Sequence, residues 1–363
     1  MPHAGDIPWQ RMVRGPEDAR MRLANPRSAM RVAIVATVAG LNAVAGLAGV
    51  VGNWDFGAGS LAAAALVPGA QLTALPTTPF YAAYGGTPNP PALQFNTTAS
   101  FGISSLGAYG GHVMRVPDMS GRGAAAGLMA QMPVISNGQL AGGGAATKLN
   151  RYSVVMDVLV PAASFDVAPN YIALFQPRAN ADGSWFVREP SRNVGSTVAY
   201  SAVNSFLPDT WYRIAQVMEL DAATSTPRCT YFIDGSPVGS IIWDTIVVDD
   251  QRNADLKARD LVPDGGWSIG TLADSAAGLP AAQSGFFLFN DQSNEYGELY
   301  VANLQFRDDA LSSEAVLGLG GPAGGAIPVP EPGSLACLAS LVVGLSCMRV
   351  LRQAREVGRA PEA

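Results

Sequence analysis

Between residues 150 and 310 the chain alternates short runs of β-branched and aromatic residues with turn-forming residues, a rhythm that constrains the fold more than any other feature. The runs are 152–160 (YSVVMDVLV), 171–176 (YIALFQ), 184–188 (SWFVR), 211–220 (WYRIAQVMEL), 230–233 (TYFI), 238–243, 286–290 (FFLFN) and 299–307 (LYVANLQFR). Each has strand length, and Gly, Pro, Asn, Asp or Ser bounds nearly all of them. Asp234-Gly235, between two such runs, predicts a tight hairpin, because that turn needs positive φ and glycine supplies it cheaply. Only 312–319 reads as helix: Ser312 can cap it, Glu314 lies near its positive end, and Gly320-Gly321-Pro322 ends it. Many strands without long helices predict an all-β fold, a two-sheet antiparallel sandwich.

Alternation assigns faces within a strand. In the last run, Tyr300, Ala302, Leu304 and Phe306 fall on one side, with Leu299, Val301, Asn303, Gln305 and Arg307 on the other, so one core side and one partly wet side are expected. Of three cysteines, Cys337 and Cys347 lie in a C-terminal apolar run, which leaves Cys229 alone and allows no internal disulfide once that run is removed. Beside Arg228 at the start of an apolar strand, Cys229 reads as a small buried hydrophobe. A disulfide-free exported domain depends on core size, which favours one large domain over several small ones. With 14% charged residues and a net charge of −6, the chain offers no basic stripe for nucleic acid.

Both ends carry the marks of export. Residues 32–51 form an Ala/Gly/Val-rich run preceded by Arg22, Arg27 and Arg31, with Ala43, Ala45 and Ala48 as small residues for a signal peptidase. Residues 1–20 exceed what such a signal needs, which leaves Met21 and Met30 as alternative starts; the competing reading is an N-terminal anchor. Near the other end, Val329-Pro330-Glu331-Pro332-Gly333 precedes an apolar run at 334–348, then Arg349, Arg352 and Arg355. That run is short for a span of roughly 20 residues, and its basic flank follows the positive-inside pattern. The order of parts resembles the PEP-CTERM sorting signal of Gram-negative bacteria. The resemblance implies Val329, Pro330, Glu331, Pro332, Arg349 and Arg352 as sorting residues, an exosortase-type membrane protease as partner, and transient membrane anchoring through the C-terminal helix. A plain C-terminal anchor is the alternative.

Within the body of the chain, Asp209-Thr210-Trp211-Tyr212-Arg213-Ile214 is followed by Tyr231-Phe232-Ile233-Asp234-Gly235, and later by 287–291, 300–308, Leu311-Ser312-Ser313-Glu314 and Leu319-Gly320-Gly321-Pro322. These motifs resemble those of laminin G-like (LamG), concanavalin A-like jelly rolls, with Trp54-Asp55-Phe56 as the opening strand. The organisation expected is an N-terminal extension and signal at 1–48, one LamG/concanavalin A-like sandwich at 50–322, a Gly/Pro linker at 323–329, the sorting signal with its membrane helix at 330–355, and a polar tail at 356–363. The motif residues have structural roles. Trp211 suits a sheet interior near a strand end, Arg213 suits an acidic neighbour or a flat lie across the sheet, and Asp234-Gly235 makes the turn.

Catalytic constellations are missing. Concanavalin A-like glucanases place carboxylates as Glu-x-Asp-x-x-Glu along one strand, and here Glu219-Leu220-Asp221 lacks the second glutamate. His3 lies in the leader and His112 in a Gly-rich stretch read as a loop, so no histidine triad or zinc site can form. The resemblance implies calcium as the cofactor to test, with Asn290, Asp291 and Glu295 as oxygen donors beside Asn294 and Glu298, and Asp249, Asp250 and Asp255 as a second cluster. Trp185, Trp243 and Trp267 are candidates for stacking on sugar rings. The expected function is a non-enzymatic, secreted or surface-attached module binding carbohydrate or extracellular matrix, with extracellular polysaccharide as partner and an extracytoplasmic location. The alternatives are a hydrolase or lyase of the same fold, separable by release of reducing ends, and a coat protein without ligand.

Overall fold

The structure is a computed structural model, and it describes residues 49–75, 92–107, 109–120, 126–166, 171–178, 185–196, 198–275, 279–291, 293 and 295–329. All belong to the unit Ala48–Ala363. The readings of a leader at 1–48 and of a sorting signal and tail from Pro330 onward lie outside the described residues. Among the described residues no helix is long and apolar enough to cross a membrane.

Two antiparallel sheets form the sandwich. The first runs β13 (Ser236–Ile242), β12 (Arg228–Ile233), β11 (Tyr212–Glu219), β6 (Arg151–Leu159), β15 (Leu299–Arg307), β4 (His112–Val116), β3 (Gln94–Thr97), with β1 (Val50–Asp55) also paired to β15. The second runs β10 (Ala199–Tyr200), β9 (Asn193–Ser196), β8 (Trp185–Arg188), β7 (Tyr171–Gln176), β14 (Gln283–Leu288), β5 (Leu128–Pro133), β2 (Gln71–Ala74). Every run read as a strand is one, and the hairpin forms as expected. Asp234 and Gly235 have φ of 47° and 79°, and Ile233 pairs with Ser236. A Cβ on Gly235 would come within 2.9 Å of Leu317 Cα, so two constraints favour glycine there. The helix Ser313–Gly318 is present, capped by Ser312, whose hydroxyl accepts from Ala315 N at 3.2 Å.

The core between the sheets takes alternate residues from each strand, among them Val154, Met156 and Val158 of β6, Ile214 and Met218 of β11, Trp185 and Val187 of β8, and Phe286 and Leu288 of β14. Aromatic packing joins the sheets: the Phe286 and Phe306 rings lie 4.5 Å apart, and Tyr152 contacts both Phe175 and Phe306 at 5.8 Å. Cys229 is fully buried in this core, and burial pushes its thiol up to about 12.

The alternation expected for β15 is broken by a β-bulge between Val301 and Asn303. One extra residue shifts everything beyond it to the other face. Leu299, Val301, Leu304 and Phe306 therefore share the core, while Tyr300, Ala302, Asn303, Gln305 and Arg307 face outward. Neither side is wet: all nine residues are buried.

The outer face of the first sheet is covered along its central strands. At one end, Leu159, Tyr300 and Ala302 pack under Leu106 and Trp211. Trp211 is thus buried against the outside of the sheet, not between the sheets, with its indole N–H donating to Ser104 O at 2.8 Å. In the middle, Arg213 grips Asp157 with two parallel bonds of 2.7 and 2.8 Å, and Asn303 Nδ2 donates to the same carboxylate at 2.9 Å. Desolvation raises the pKa of Asp157 in spite of these donors. At the far end, Val155, Ala215, Val217 and Phe232 are capped by Leu311, Val316, Leu319 and Ile327.

Ile327 belongs to the segment read as a linker. It is 1% exposed, because 323–329 lies on the sheet as a strap. Side-chain amides of the strands hold its carbonyls: Asn303 Nδ2 donates to Ala323 O at 3.4 Å, and Gln305 Nε2 to Ile327 O at 3.1 Å. Backbone carbonyls that would otherwise be left dry are satisfied this way. The packed domain therefore reaches beyond Pro322.

Candidate functional site

The outer face of the second sheet is treated differently along its length. Over β5 and β14, Met129 and Phe287 are covered by Leu75, Leu272 and Leu279. Over β7 to β10 the face carries Tyr171, Phe186, Arg188 and Tyr200. Their grouping follows from register. Trp185 and Val187 point into the core, so Phe186 and Arg188 point outward. Tyr171 is paired with Arg188, Phe186 with Gly195, and Gly195 with Tyr200, which places all four side chains on one face.

Gly195 has φ 154°, and a Cβ there would lie 2.2 Å from Ala199 O, so the β9–β10 turn closes this tightly only on glycine. Tyr171 meets Phe186 edge-on at 5.9 Å. The Arg188 guanidinium lies 5.7 Å from the Tyr171 ring centroid and 5.8 Å from that of Tyr200, a double cation–π contact that fixes a side chain otherwise rich in rotamers. Phe186 is 4% exposed beneath these three, which stay partly open to solvent. Burial raises the pKa of Tyr200, and the charges of Arg188, Arg252 and Glu295 are felt at its hydroxyl.

Next to Arg188 in the chain sits Glu189, 3% exposed. It is the first residue of the β8–β9 turn, and its Oε1 has no hydrogen-bond partner. Burial, with a smaller contribution from the charge of Asp118, pushes its carboxyl up to about 8. Asp118 itself accepts from the backbone N–H and hydroxyl of Ser120 at 2.9 and 2.6 Å.

The residues singled out in the sequence fare differently. Asn290 and Asp291 are wholly buried, and Asp291 spends both carboxylate oxygens on protein donors, Gln176 Nε2 at 3.0 Å and Ser293 N at 2.5 Å. Asn290 Nδ2 donates to Ala126 O, and the carbonyl of Glu295 accepts from Ala173 N. Among the described residues no group of three His, Cys, Asp or Glu is placed to hold a metal ion. In the second cluster, Asp250 caps the helix Gln251–Asp255, and Asp249 accepts from Asn253. Trp185 and Trp267 are 0% and 4% exposed and closed to a ligand; Trp243 is partly exposed, with the Lys257 ammonium 5.6 Å over its ring. His112 opens strand β4, partly buried, with Nδ1 at 3.4 Å from Gly57 O; the loop assignment gives way to pairing with Thr97. Of the sorting residues only Val329 is described, and it is exposed.

Sequence reasoning missed the platform. Its readable signal was the outward alternation of Phe186 and Arg188, while the approach of Tyr171 and Tyr200 depended on strand register.

No family model and no curated protein matches the chain. Among solved structures it is similar to domain 4 of AbnA, an extracellular GH43 arabinanase of Geobacillus stearothermophilus, in complex with arabinotriose. That match has 12% identity and a TM-score of 0.38, over 75% of this chain and 98% of that one. The botulinum neurotoxin serotype D binding domain matches at 9% identity and TM-score 0.38, over 74% of this chain and 50% of its own. Trypanosoma rangeli sialidase matches at 14% and 0.30, over 57% and 29%. At such TM-scores these likenesses support no inference about ligand or activity.

Proposed function

We propose that the protein is a non-enzymatic carbohydrate-binding module that works outside the cytoplasm, and that its binding face is the Tyr171–Arg188–Tyr200 platform. One observation carries the reading. On a sandwich whose central strands are covered on their outer faces elsewhere, this face presents partly exposed aromatic rings beside a guanidinium. Aromatic rings offer a flat apolar surface to the C–H face of a sugar, and their hydroxyls and the guanidinium supply hydrogen bonds to its rim. Binding of the full chain to polysaccharides in affinity electrophoresis tests this: Tyr171→Ala and Tyr200→Ala should each weaken retardation while leaving the fold intact. Release of reducing ends during incubation would overturn the non-enzymatic part.

Delivery to that location rests on the two terminal segments. In this reading the basic and apolar run at 22–51 starts export, and an exosortase-type protease acts at Pro330-Glu331-Pro332 while the helix and Arg349, Arg352 and Arg355 hold the tail in the membrane. Glu331→Ala should accumulate an uncleaved, membrane-bound form. Mass spectrometry of the exported protein decides it: a wild-type species still carrying Arg352 would leave a plain anchor.

A further inference from the structure

Ten arginines lie in the described part of the chain, and seven of them face a carboxylate. Arg213 pairs with Asp157 at 2.7 Å and Arg307 with Asp309 at 2.6 Å; Arg115 pairs with Glu298; Arg259 and Arg178 both approach Asp260, at 3.1 and 3.9 Å; Arg151 meets Asp221 and Arg228 meets Glu219, each at 3.6 Å. The three described arginines without such a partner are Arg188, Arg192 and Arg252, and Arg188 belongs to the platform itself. Arg188 lies over its two tyrosines, Arg192 lies in the β8–β9 turn with its guanidinium 5.9 Å over Phe165, and Arg252 is close enough to Tyr200 for its charge to be felt there. Among the described residues, Arg188 keeps its guanidinium without a carboxylate partner on a partly open face, and the charge of Arg252 is felt at the neighbouring Tyr200.

Acids lie nearby, and none of those described forms an ion pair with Arg188. Glu189 is buried with its carboxyl pushed up to about 8, so it is mostly protonated at neutral pH and does not neutralise its neighbour. Asp118 is engaged by Ser120. Glu295 contributes the negative charge sensed at Tyr200. At Arg188 itself, Nε is sealed from solvent and has no acceptor. A planar guanidinium held against two rings offers its remaining N–H groups in a fixed fork, the geometry that receives a carboxylate through two parallel bonds.

We infer that the ligand of this face is an acidic polysaccharide, a chain of sugars bearing carboxylates, with Arg188 receiving a carboxylate between Tyr171 and Tyr200. The inference rests on the carbohydrate-binding reading above and adds the charge of the ligand.

The test measures binding of the full chain to polygalacturonate, to the same polymer with its carboxyls reduced to alcohols, and to dextran sulfate. Polygalacturonate should bind about ten- to a hundredfold more tightly than its reduced form, the worth of hydrogen bonds to a charged group. Arg188→Gln should remove most of that advantage without changing affinity for the reduced polymer, and Arg188→Lys should restore only part of it. Arg178→Gln, a charge loss at an arginine already paired with Asp260, should leave affinity unchanged. Equal affinity for the acidic and reduced polymers would overturn the inference and spare the broader reading. Dextran sulfate binding as tightly as polygalacturonate would overturn carboxylate recognition in favour of a general polyanion site. Failure to bind any of the three, or binding indifferent to Tyr171→Ala, would overturn both readings.

Discussion

Each sheet of the sandwich carries a buried carboxylate and an arginine, and the two pairs behave in opposite ways. In the first sheet, Asp157 and Arg213 are directly opposite one another on neighbouring strands, so their side chains leave on the same face and meet at 2.7 Å beneath the chain's own tail. In the second, Glu189 follows Arg188 as the first residue of the β8–β9 turn, and the two form no ion pair. Arg188 is left on a partly open face between two tyrosines, and Glu189 is buried without a partner for Oε1. Here closeness across strands joins charges, and closeness along the chain does not. One sheet has spent its charges on its own cohesion, and the other keeps an arginine available.

The contrast can be broken most severely at the first sheet. Arg213→Ala strands Asp157 in a dry site and should destabilise the domain by about 3–5 kcal/mol in urea unfolding. A loss below about 1 kcal/mol would mean that water reaches the carboxylate and that this face is not sealed. Ile327→Ala empties the pocket under the strap and should cost about 2–5 kcal/mol, towards the lower end where the strap can settle into the space. No loss would return 323–329 to the status of a linker.

The second sheet should answer to pH instead. A carboxyl whose pKa rises on folding contributes stability that is whole below its unfolded value and is lost as pH climbs through its folded value, here about 8. Glu189→Gln has no proton to lose. Its melting temperature relative to wild type should therefore climb by a few degrees between about pH 5 and about pH 9. A constant difference across that range would show Glu189 ionised in the folded state. The smallest effect on stability belongs to Tyr171→Ala, about 1 kcal/mol for a partly exposed edge-on aromatic contact, while carbohydrate binding should suffer most. A large loss of stability there would make Tyr171 a cover for Phe186 and weaken its assignment as a ligand contact.

Much of this architecture was legible because strand composition and turn chemistry are local. The runs at 152–160 and 211–220 needed no partner to declare themselves, and Asp234-Gly235 specified its own turn. Apart from β1, met in Trp54-Asp55, the strands before residue 150 were not legible. β2 and β5, QLTA and LMAQMP, are short and poor in β-branched residues, and they become strands by pairing with each other and with β14. The bulge in β15 had no signature, since Ala302-Asn303 could equally have stayed in register. The platform was hidden for the same reason. Phe186 and Arg188 could be placed on one face from SWFVR, but Tyr171 and Tyr200 join them through pairings that no local pattern encodes.

The strap also has a mechanical meaning. From the end of the helix onward, carbonyls are held one after another, by Arg213 at Leu319 and then, within the strap, by Asn303 at Ala323 and by Gln305 and Asn53 at Ile327. Tension applied to the chain beyond Val329 would therefore load these bonds in sequence, beginning at Ile327. The strap would peel away in steps, each yielding before the next carries the full force.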